Sequence, residues 1–317
     1  MRALTPQFTW IPLGAGGGLL EDNLSAHLIA PIGSHDFICL DAGTLSAGLK
    51  AANNAGCFYD IPIPEDSNLS TEGQILHCHI RAYLISHPYL DHTQGLVASS
   101  PNDTPKPILS LEGVISDIRS HIFNWRTWPN FGDAGEPPCL GLYRYLALLP
   151  GVRTPIENTE MHVQAFPLSH GTHTDSVAFL VESNGYYVLY MGDTGPDEIE
   201  NRTTTADLWR QITPLIQRKC LQAIFIESSY VDERSDSELY SHLTPAWVIR
   251  AFNQLASMVD AKRPKAALEG LTVIITHIKP DLLSGKNPRQ IVKEQFKAHN
   301  DLGLRLIFAE QGNRLDI

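Results

Sequence analysis

The stretch ISHPYLDHTQGL, residues 85–96, carries His87, Asp91 and His92 in an H-x-x-x-D-H spacing. Two imidazoles and a carboxylate this close together suit a divalent cation. The pattern is one ligand short of H-x-H-x-D-H, because Tyr89 stands where a second histidine would fall. Pro88 biases His87 toward an extended backbone, which projects its ring from the end of the preceding apolar run. Asp91 and His92, being adjacent, are expected to aim at one ion from a tight loop, since a helix would turn them about 100° apart. Any one of these residues alone reads more simply as a solvated or capping group. Their significance comes from similar residues elsewhere.

Asp41, His170, Asp193, Glu227 and His277 each fall at or just past the end of a short apolar run, in FICLDAG, HVQAFPLSH, YYVLYMGD, AIFIESS and LTVIITH. Together with His87 they make six strand ends, and six such ends aimed at one rim would build one polar site. A carboxylate at Asp193 can bridge two cations that share a hydroxide, although Gly-Asp after a strand is also a common turn. Glu227 with His242, in YSHLTP, forms a candidate acid and orienter pair: the carboxylate fixes the imidazole tautomer and raises its basicity, so the ring can protonate a departing alkoxide. The simpler reading makes His242 a cap for the helix that begins at Thr244. His77 and His79, in HCH, are expected to be alternate residues on an ordinary polar strand face.

The elements that must position these groups are punctuated by Gly, Pro, Asn and Asp. FTWIPLG, AHLIAPIG, IRAYLISH, SVAFLVE and LRLIFAE join the runs above as strands. Thr244 to Val259 has helical apolar spacing, with Pro245 suited to a first turn. Two long Pro- and Gly-rich loops, 58–73 and 125–138, exceed ordinary connection lengths and point to a functional or capping role. Trp125, Trp128 and Phe131 in the second loop read as core plugs before they read as a purine-stacking surface.

A chain of 317 residues, 43% hydrophobic and 19% charged, can bury a large core and is expected to form a single domain over residues 1–317. No apolar stretch approaches the roughly 18 residues of a membrane span, and no secretory leader is evident, so no membrane partner is expected. Five cysteines without a C-x-x-C argue against a disulfide framework and favour a reducing cytoplasm, with a periplasmic location left open. The net charge of −11 disfavours nucleic acid, which is gripped by many Lys and Arg side chains. A small anion remains compatible, because bound divalent cations would offset the acidity where a phosphate approaches.

These phrases, in this order, resemble the class II cyclic-nucleotide phosphodiesterases of the metallo-β-lactamase superfamily. The resemblance runs through LGAGGGLLEDNLSAHLI, LDAGT, YLISHPYLDHTQGL, HIFNWRTWPNF, FPLSHG, SVAFLV, YMGDTGPD, IFIESSY, HLTP, ITHIKP and LIFAEQG. It implies an α/β fold, a metallo-β-lactamase-like αββα four-layer sandwich of two mixed β-sheets. It also implies two divalent ions: His87 and His170 on the first, Asp91, His92 and His277 on the second, and Asp193 between them. Zinc is the first choice, with manganese or iron admitted by the same ligand types. The implied reaction is hydrolysis of a 3′,5′-cyclic nucleotide, cAMP or secondly cGMP, to the 5′-monophosphate by a metal-bound hydroxide. His242 and Glu227 would form the proton-donating pair, and Asp91 could accept a proton from the nucleophile. The nucleotide-contacting residues are not read from the sequence, and a homodimer is compatible with it.

Tyr89 departs from the family pattern. A phenol, which as a class loses its proton only near about pH 10, is a poor ligand unless the metal forces deprotonation. The phenolate coordinates, a water or His173 takes the vacancy, or the first site is weak. Two other readings compete with hydrolysis of a cyclic nucleotide. A ribonuclease or other phosphodiesterase on the same scaffold would need a basic arm that is missing here. A non-catalytic cyclic-nucleotide binder would have Tyr89 as its inactivating change, and would bind without turnover in saturating metal.

Overall fold

The computed structural model describes residues 5–171, 175–283, 285 and 287–317. His173, considered above as a substitute ligand, lies outside the described residues. Fourteen strands among them form two seven-stranded sheets. The first contains β1 (Phe8–Gly14), β2 (Ala26–Pro31), β3 (Phe37–Leu40), β4 (Ile80–Leu84), β5 (Lys106–Leu111), β6 (Tyr143–Leu148) and, beside β1, β14 (Leu315–Asp316). The second contains β7 (Thr154–Pro155), β8 (His162–Ser169), β9 (Asp175–Ser183), β10 (Tyr186–Met191), β11 (Leu221–Glu227), β12 (Thr272–Thr276) and β13 (Arg305–Phe308). Both sheets are mixed: β3 to β6 run parallel, as do β10 to β13, while β1–β2, β2–β3, β8–β9 and β9–β10 are antiparallel.

Alternation along the strands explains the layering. Phe179, Tyr190, Phe225 and Ile274 point toward the first sheet and join Phe8, Trp10, Leu28 and Tyr83 in one core between the sheets. Their neighbours Leu180, Leu189, Ile224 and Ile275 point the other way, into a second core with Trp209, Phe252 and Phe296. Those three aromatics belong to helices Thr204–Gln217, Pro245–Val259 and Pro288–His299. Side chains that alternate at period two across a sheet buried on both faces give the continuous apolar runs seen in the sequence. Each large apolar side chain withdrawn from water contributes roughly 1.5–3 kcal/mol. Helices Ser46–Asn54, Leu90–Ser99 and Glu112–Asp117 accompany the first sheet. The result is the expected αββα sandwich. No helix among the described residues is long and apolar enough to cross a membrane.

Two expectations fail locally. His77 and His79 lie on a π-helical turn, Ile75–His79, and not on a strand. His77 Nε2 meets the Asn102 carbonyl oxygen at 2.6 Å and His79 Nδ1 meets that of His35 at 3.0 Å, so both are tied to backbone. Asp91 and His92 lie in the first turn of helix Leu90–Ser99 and not on a loop. In the aromatic loop, Trp128 and Phe131 pack against the inter-sheet core, and Trp128 Nε1 donates to Ser100 Oγ at 3.0 Å. Trp125 stays 42% exposed, its indole N–H donating to the Pro138 carbonyl.

Candidate active site

Strand direction brings the polar residues together. Two antiparallel steps separate β8 from β10, so β8, β10, β11 and β12 all point the same way and deliver His170, Asp193, Glu227 and His277 to one edge. The parallel pair β3 and β4 delivers Asp41 and His87 from the other sheet. Backbone is bent to finish the job. Asp41 (φ 56°), Ser241 (φ 61°) and His277 (φ 57°) occupy the left-handed region, which costs a non-glycine residue on the order of 1 kcal/mol each and clusters at functional sites.

Ligand-type atoms of Asp91, His92, Asp193 and His277 lie within 4.8 Å of one another, as do those of His87, His170 and Asp193, so Asp193 belongs to both sets. Asp193 Oδ2 stands 3.1 Å from His277 Nε2, 3.4 Å from His92 Nε2 and 3.9 Å from His87 Nε2. Asp91 reaches His277 Nε2 at 3.3 Å. The helical placement of Asp91 and His92 does not separate them, because their Oδ2 and Nε2 atoms come within 4.0 Å. Side-chain length closes the angle between neighbours. A Cβ on Gly43 would meet the Asp91 carbonyl oxygen at 2.1 Å, so only glycine in LDAGT admits this helix start.

The outward nitrogens of the imidazoles are fixed. His92 Nδ1 contacts Asp41 Oδ2 at 2.7 Å, and His170 Nδ1 contacts the Ser241 carbonyl at 3.0 Å. Ser86 Oγ gives its proton to Asp41 Oδ2 and so accepts from His87 Nδ1 at 3.0 Å. Ser229 Oγ likewise gives its proton to Glu227 Oε2 and accepts from His277 Nδ1 at 2.9 Å. With Nδ1 bonded outward in each ring, Nε2 is the nitrogen turned inward, the orientation of a metal-ligating histidine. Two consequences mark a cation site. His87 Nε2 is buried without a hydrogen-bond partner among the described residues, and the Nε2 atoms of His92 and His277 face each other at 3.2 Å, where a proton or a metal cation must lie between them. Burial disfavours charge on His92, yet Asp193, Asp41 and Asp91 together hold it well above the ordinary histidine range. A divalent ion meets the same demand for positive charge. Burial first, then His92, holds His87 well below that range, and burial lowers His170, which keeps both rings in the neutral ligand form. The donor set thus fits divalent metal.

The acid pair is also assembled. His242 Nδ1 meets Glu227 Oε1 at 2.9 Å, and Glu227 also accepts from Thr194 N, Leu243 N and Ser229 Oγ. Burial works against protonating His242, but the Glu227 carboxylate outweighs it and raises the ring above the ordinary histidine range. His242 does not cap helix Pro245–Val259, whose N-cap is Thr244. Asp91 is held well below the carboxylate range by His92 and His277 in spite of its burial, which suits a ligand better than a base. Ser86, Ser229, Ser241 and Tyr190, whose hydroxyl donates to Asp41 Oδ2 at 2.6 Å, were invisible in the sequence. Gly17 presses on the centre, since a Cβ there would lie 2.5 Å from His277 Cε1. Tyr89 sits at the N-cap of helix Leu90–Ser99, 45% exposed, with its ring centroid 5.0 Å from that of His87 and 5.4 Å from that of His170.

Residues 7–312 match the family model of class-II cAMP phosphodiesterases. A 3′,5′-cyclic-nucleotide phosphodiesterase of Aliivibrio fischeri is 39% identical over 99% of this chain and 94% of its own length. A probable 3′,5′-cyclic-nucleotide phosphodiesterase of Yersinia pestis is 34% identical over 98% of this chain and 89% of its own. Among solved structures, unliganded yeast PDE1 superposes with a TM-score of 0.82 at 22% identity, covering 99% of this chain and all of that one. The metallo-β-lactamase fold protein YhfI of Bacillus subtilis superposes at 0.59 and 13% identity, over 97% and 99% of the two chains. By sequence, the chain belongs to the class-II cAMP phosphodiesterases.

Proposed function

We propose that this protein hydrolyses 3′,5′-cyclic nucleotides, cAMP first and cGMP second, to 5′-monophosphates at a centre holding two divalent ions, zinc before manganese or iron. The observation that carries this reading is the set of four inward Nε2 atoms with fixed outer hydrogen bonds, converging on Asp193 beside a separate His242–Glu227 pair. His87, His170 and Asp193 would hold one ion, and Asp91, His92, His277 and Asp193 the other. Such ions supply Lewis acidity that lowers the pKa of water and takes up charge on the phosphoryl oxygens.

The chain's own residues supply the rest. His242 carries a proton on a ring that Glu227 orients through Nδ1, and it delivers that proton from Nε2 to the departing 3′ oxygen. Glu227 stays ionised because four donors satisfy it, and so it stabilises the imidazolium that His242 regains by taking a proton from water after each turnover. Asp91 remains a carboxylate next to His277, a ligand first and only secondarily an acceptor of the water's proton. A cleft of about 540 Å³ beside His170 and Gly171, with Arg202 and Thr204 on its wall, is large enough for the nucleoside. Both sheets contribute to the site, which supports a single working domain over residues 1–317. Free thiols at all five cysteines support a reducing cytoplasm as the compartment.

The decisive assay is turnover of 3′,5′-cAMP by protein supplied with zinc or manganese, with the product identified chromatographically. The expected product is 5′-AMP, lost in His277→Ala. Formation of 3′-AMP would overturn the assignment of the leaving group. Binding of cAMP without turnover in either metal would overturn catalysis itself.

A further inference from the structure

Resting on the cyclic-nucleotide reading above, we infer that Tyr240, steadied by Arg234 against Tyr230, is the platform on which the base of the substrate stacks.

Tyr240 sits where an aromatic gains little from the fold. The His242 N–H donates to the Leu239 carbonyl at 3.0 Å and closes a turn whose two central residues, Tyr240 (φ 50°) and Ser241 (φ 61°), both have left-handed backbone. Consecutive left-handed positions in a tight turn favour Asn and Gly. Tyrosine accepts the strain and remains 67% exposed, so little burial offsets it. Strain of this kind, carried by an exposed aromatic beside a reacting centre, points to contact with a ligand.

The neighbours of Tyr240 close a ring with the proton donor. Arg234 Cζ lies 5.7 Å from the Tyr240 ring centroid and 4.8 Å from that of Tyr230, within range of cation–π attraction to both. Arg234 Nε donates to the Glu238 carbonyl at 3.0 Å, which fixes the guanidinium against the two rings. Tyr230 in turn stands 5.8 Å from His242, edge to face at 78°. On the other side, the Ser241 carbonyl meets His170 Nδ1 at 3.0 Å, and the His170 and His242 rings are 5.0 Å apart. Gly171, on the wall of the nucleoside cleft, borders the same turn, since a Cβ on it would stand 3.5 Å from Ser241 Oγ.

The shape of the substrate supplies the last step. A proton donor acts within hydrogen-bond reach of the departing 3′ oxygen, so the ribose lies against His242. The base hangs from the same five-membered ring, two carbons further on, and falls on the groups around His242. Tyr240 offers an exposed aromatic face there. Stacking reads the face of a base and not its edge, so adenine and guanine are both accepted, and a two-ring purine is held more strongly than a pyrimidine.

The test compares the parent with Tyr240→Asn, which removes the ring and suits left-handed backbone better than tyrosine, and with Tyr240→Phe, which keeps the ring. The substrates are cAMP and cyclic UMP, whose base has a single ring, and the variants are matched to the parent in zinc content and circular dichroism. Tyr240→Asn should raise KM for cAMP about 10-fold, with kcat held within about twofold because uniform binding is what is lost. Its effect on cyclic UMP should be smaller, and Tyr240→Phe should keep the KM of the parent. Arg234→Ala should raise KM for cAMP by roughly 2- to 5-fold, the worth of an exposed cation–π contact. An unchanged KM for cAMP in Tyr240→Asn overturns the inference, as does a raised KM in Tyr240→Phe. A fall in kcat of equal size on both substrates overturns it too, and would make the turn a support for His170 and His242. If the parent turns over no cAMP, its dissociation constant by calorimetry takes the place of KM. Binding that Tyr240→Asn leaves unchanged then overturns this inference alone, whereas neither turnover nor binding by the parent overturns the cyclic-nucleotide reading beneath it.

Discussion

Asp41 and Glu227 are two versions of one device, set in opposite sheets. Each is a buried carboxylate that accepts four hydrogen bonds, one of them from a histidine Nδ1. The difference lies in the groups around each imidazole. His92, on Asp41, turns Nε2 toward His277 and Asp193 and so falls within an Asp193-centred set of ligand-type atoms. His242, on Glu227, has Nδ1 3.6 Å from Asp193 but lies outside both Asp193-centred ligand sets. In the proposed function, like support then serves a metal ligand in one place and a proton donor in the other.

That comparison can be broken at several points. Asp193→Ala removes the oxygen common to both ligand sets, so turnover should fall on the order of 1000-fold or more and zinc content should drop with it. Unchanged zinc content would remove Asp193 from the centre. His242→Ala should lower kcat on cAMP by roughly 100- to 10,000-fold at unchanged zinc content. A diester that expels nitrophenolate, which needs no proton, should be nearly spared, and equal loss on both substrates would make His242 a ligand or a strut. Asp41→Asn should weaken metal affinity by about 10- to 100-fold, with activity recovering as zinc is raised. The smallest effect is a pH shift. A raised His242 places the alkaline limb of kcat/KM above the ordinary histidine value of 6.5. Glu227→Gln removes the main raising influence and leaves Asp193 alone against burial and Lys279, so the limb should move to lower pH. A limb that stays put would assign it to another group.

Much of this site was legible because it is built from strand ends. Runs such as AIFIE and VIIT are apolar on both faces, so the first polar residue after them marks where the sheet stops. The strands that escaped notice were those whose buried residues look polar. Lys106 opens β5 buried, neutralised at 2.5 Å by Asp103, and β6 (YRYLAL) is an edge strand with two exposed positions among half-buried ones. The helix at Asp91 was unreadable because Tyr89 offers no capping oxygen. Ser229 was unreadable for a different reason. A serine carries no signal until the fold places it against a histidine 48 positions away.

One distance has a mechanical meaning. His92 and His277 meet at 3.2 Å although 185 positions separate them, one on the helix that follows β4 of the first sheet and the other just past β12 of the second. An ion gripped by both is a reversible cross-link that closes a loop of that length, and it draws on the same chain entropy that makes a long disulfide loop stabilising. An ion at a thousand times its dissociation constant adds about 4 kcal/mol to a fold whose whole margin is typically about 5–15 kcal/mol. Metal supply would then govern how long the protein survives as well as how fast it works, and a starved cell would lose the enzyme itself to unfolding and proteolysis.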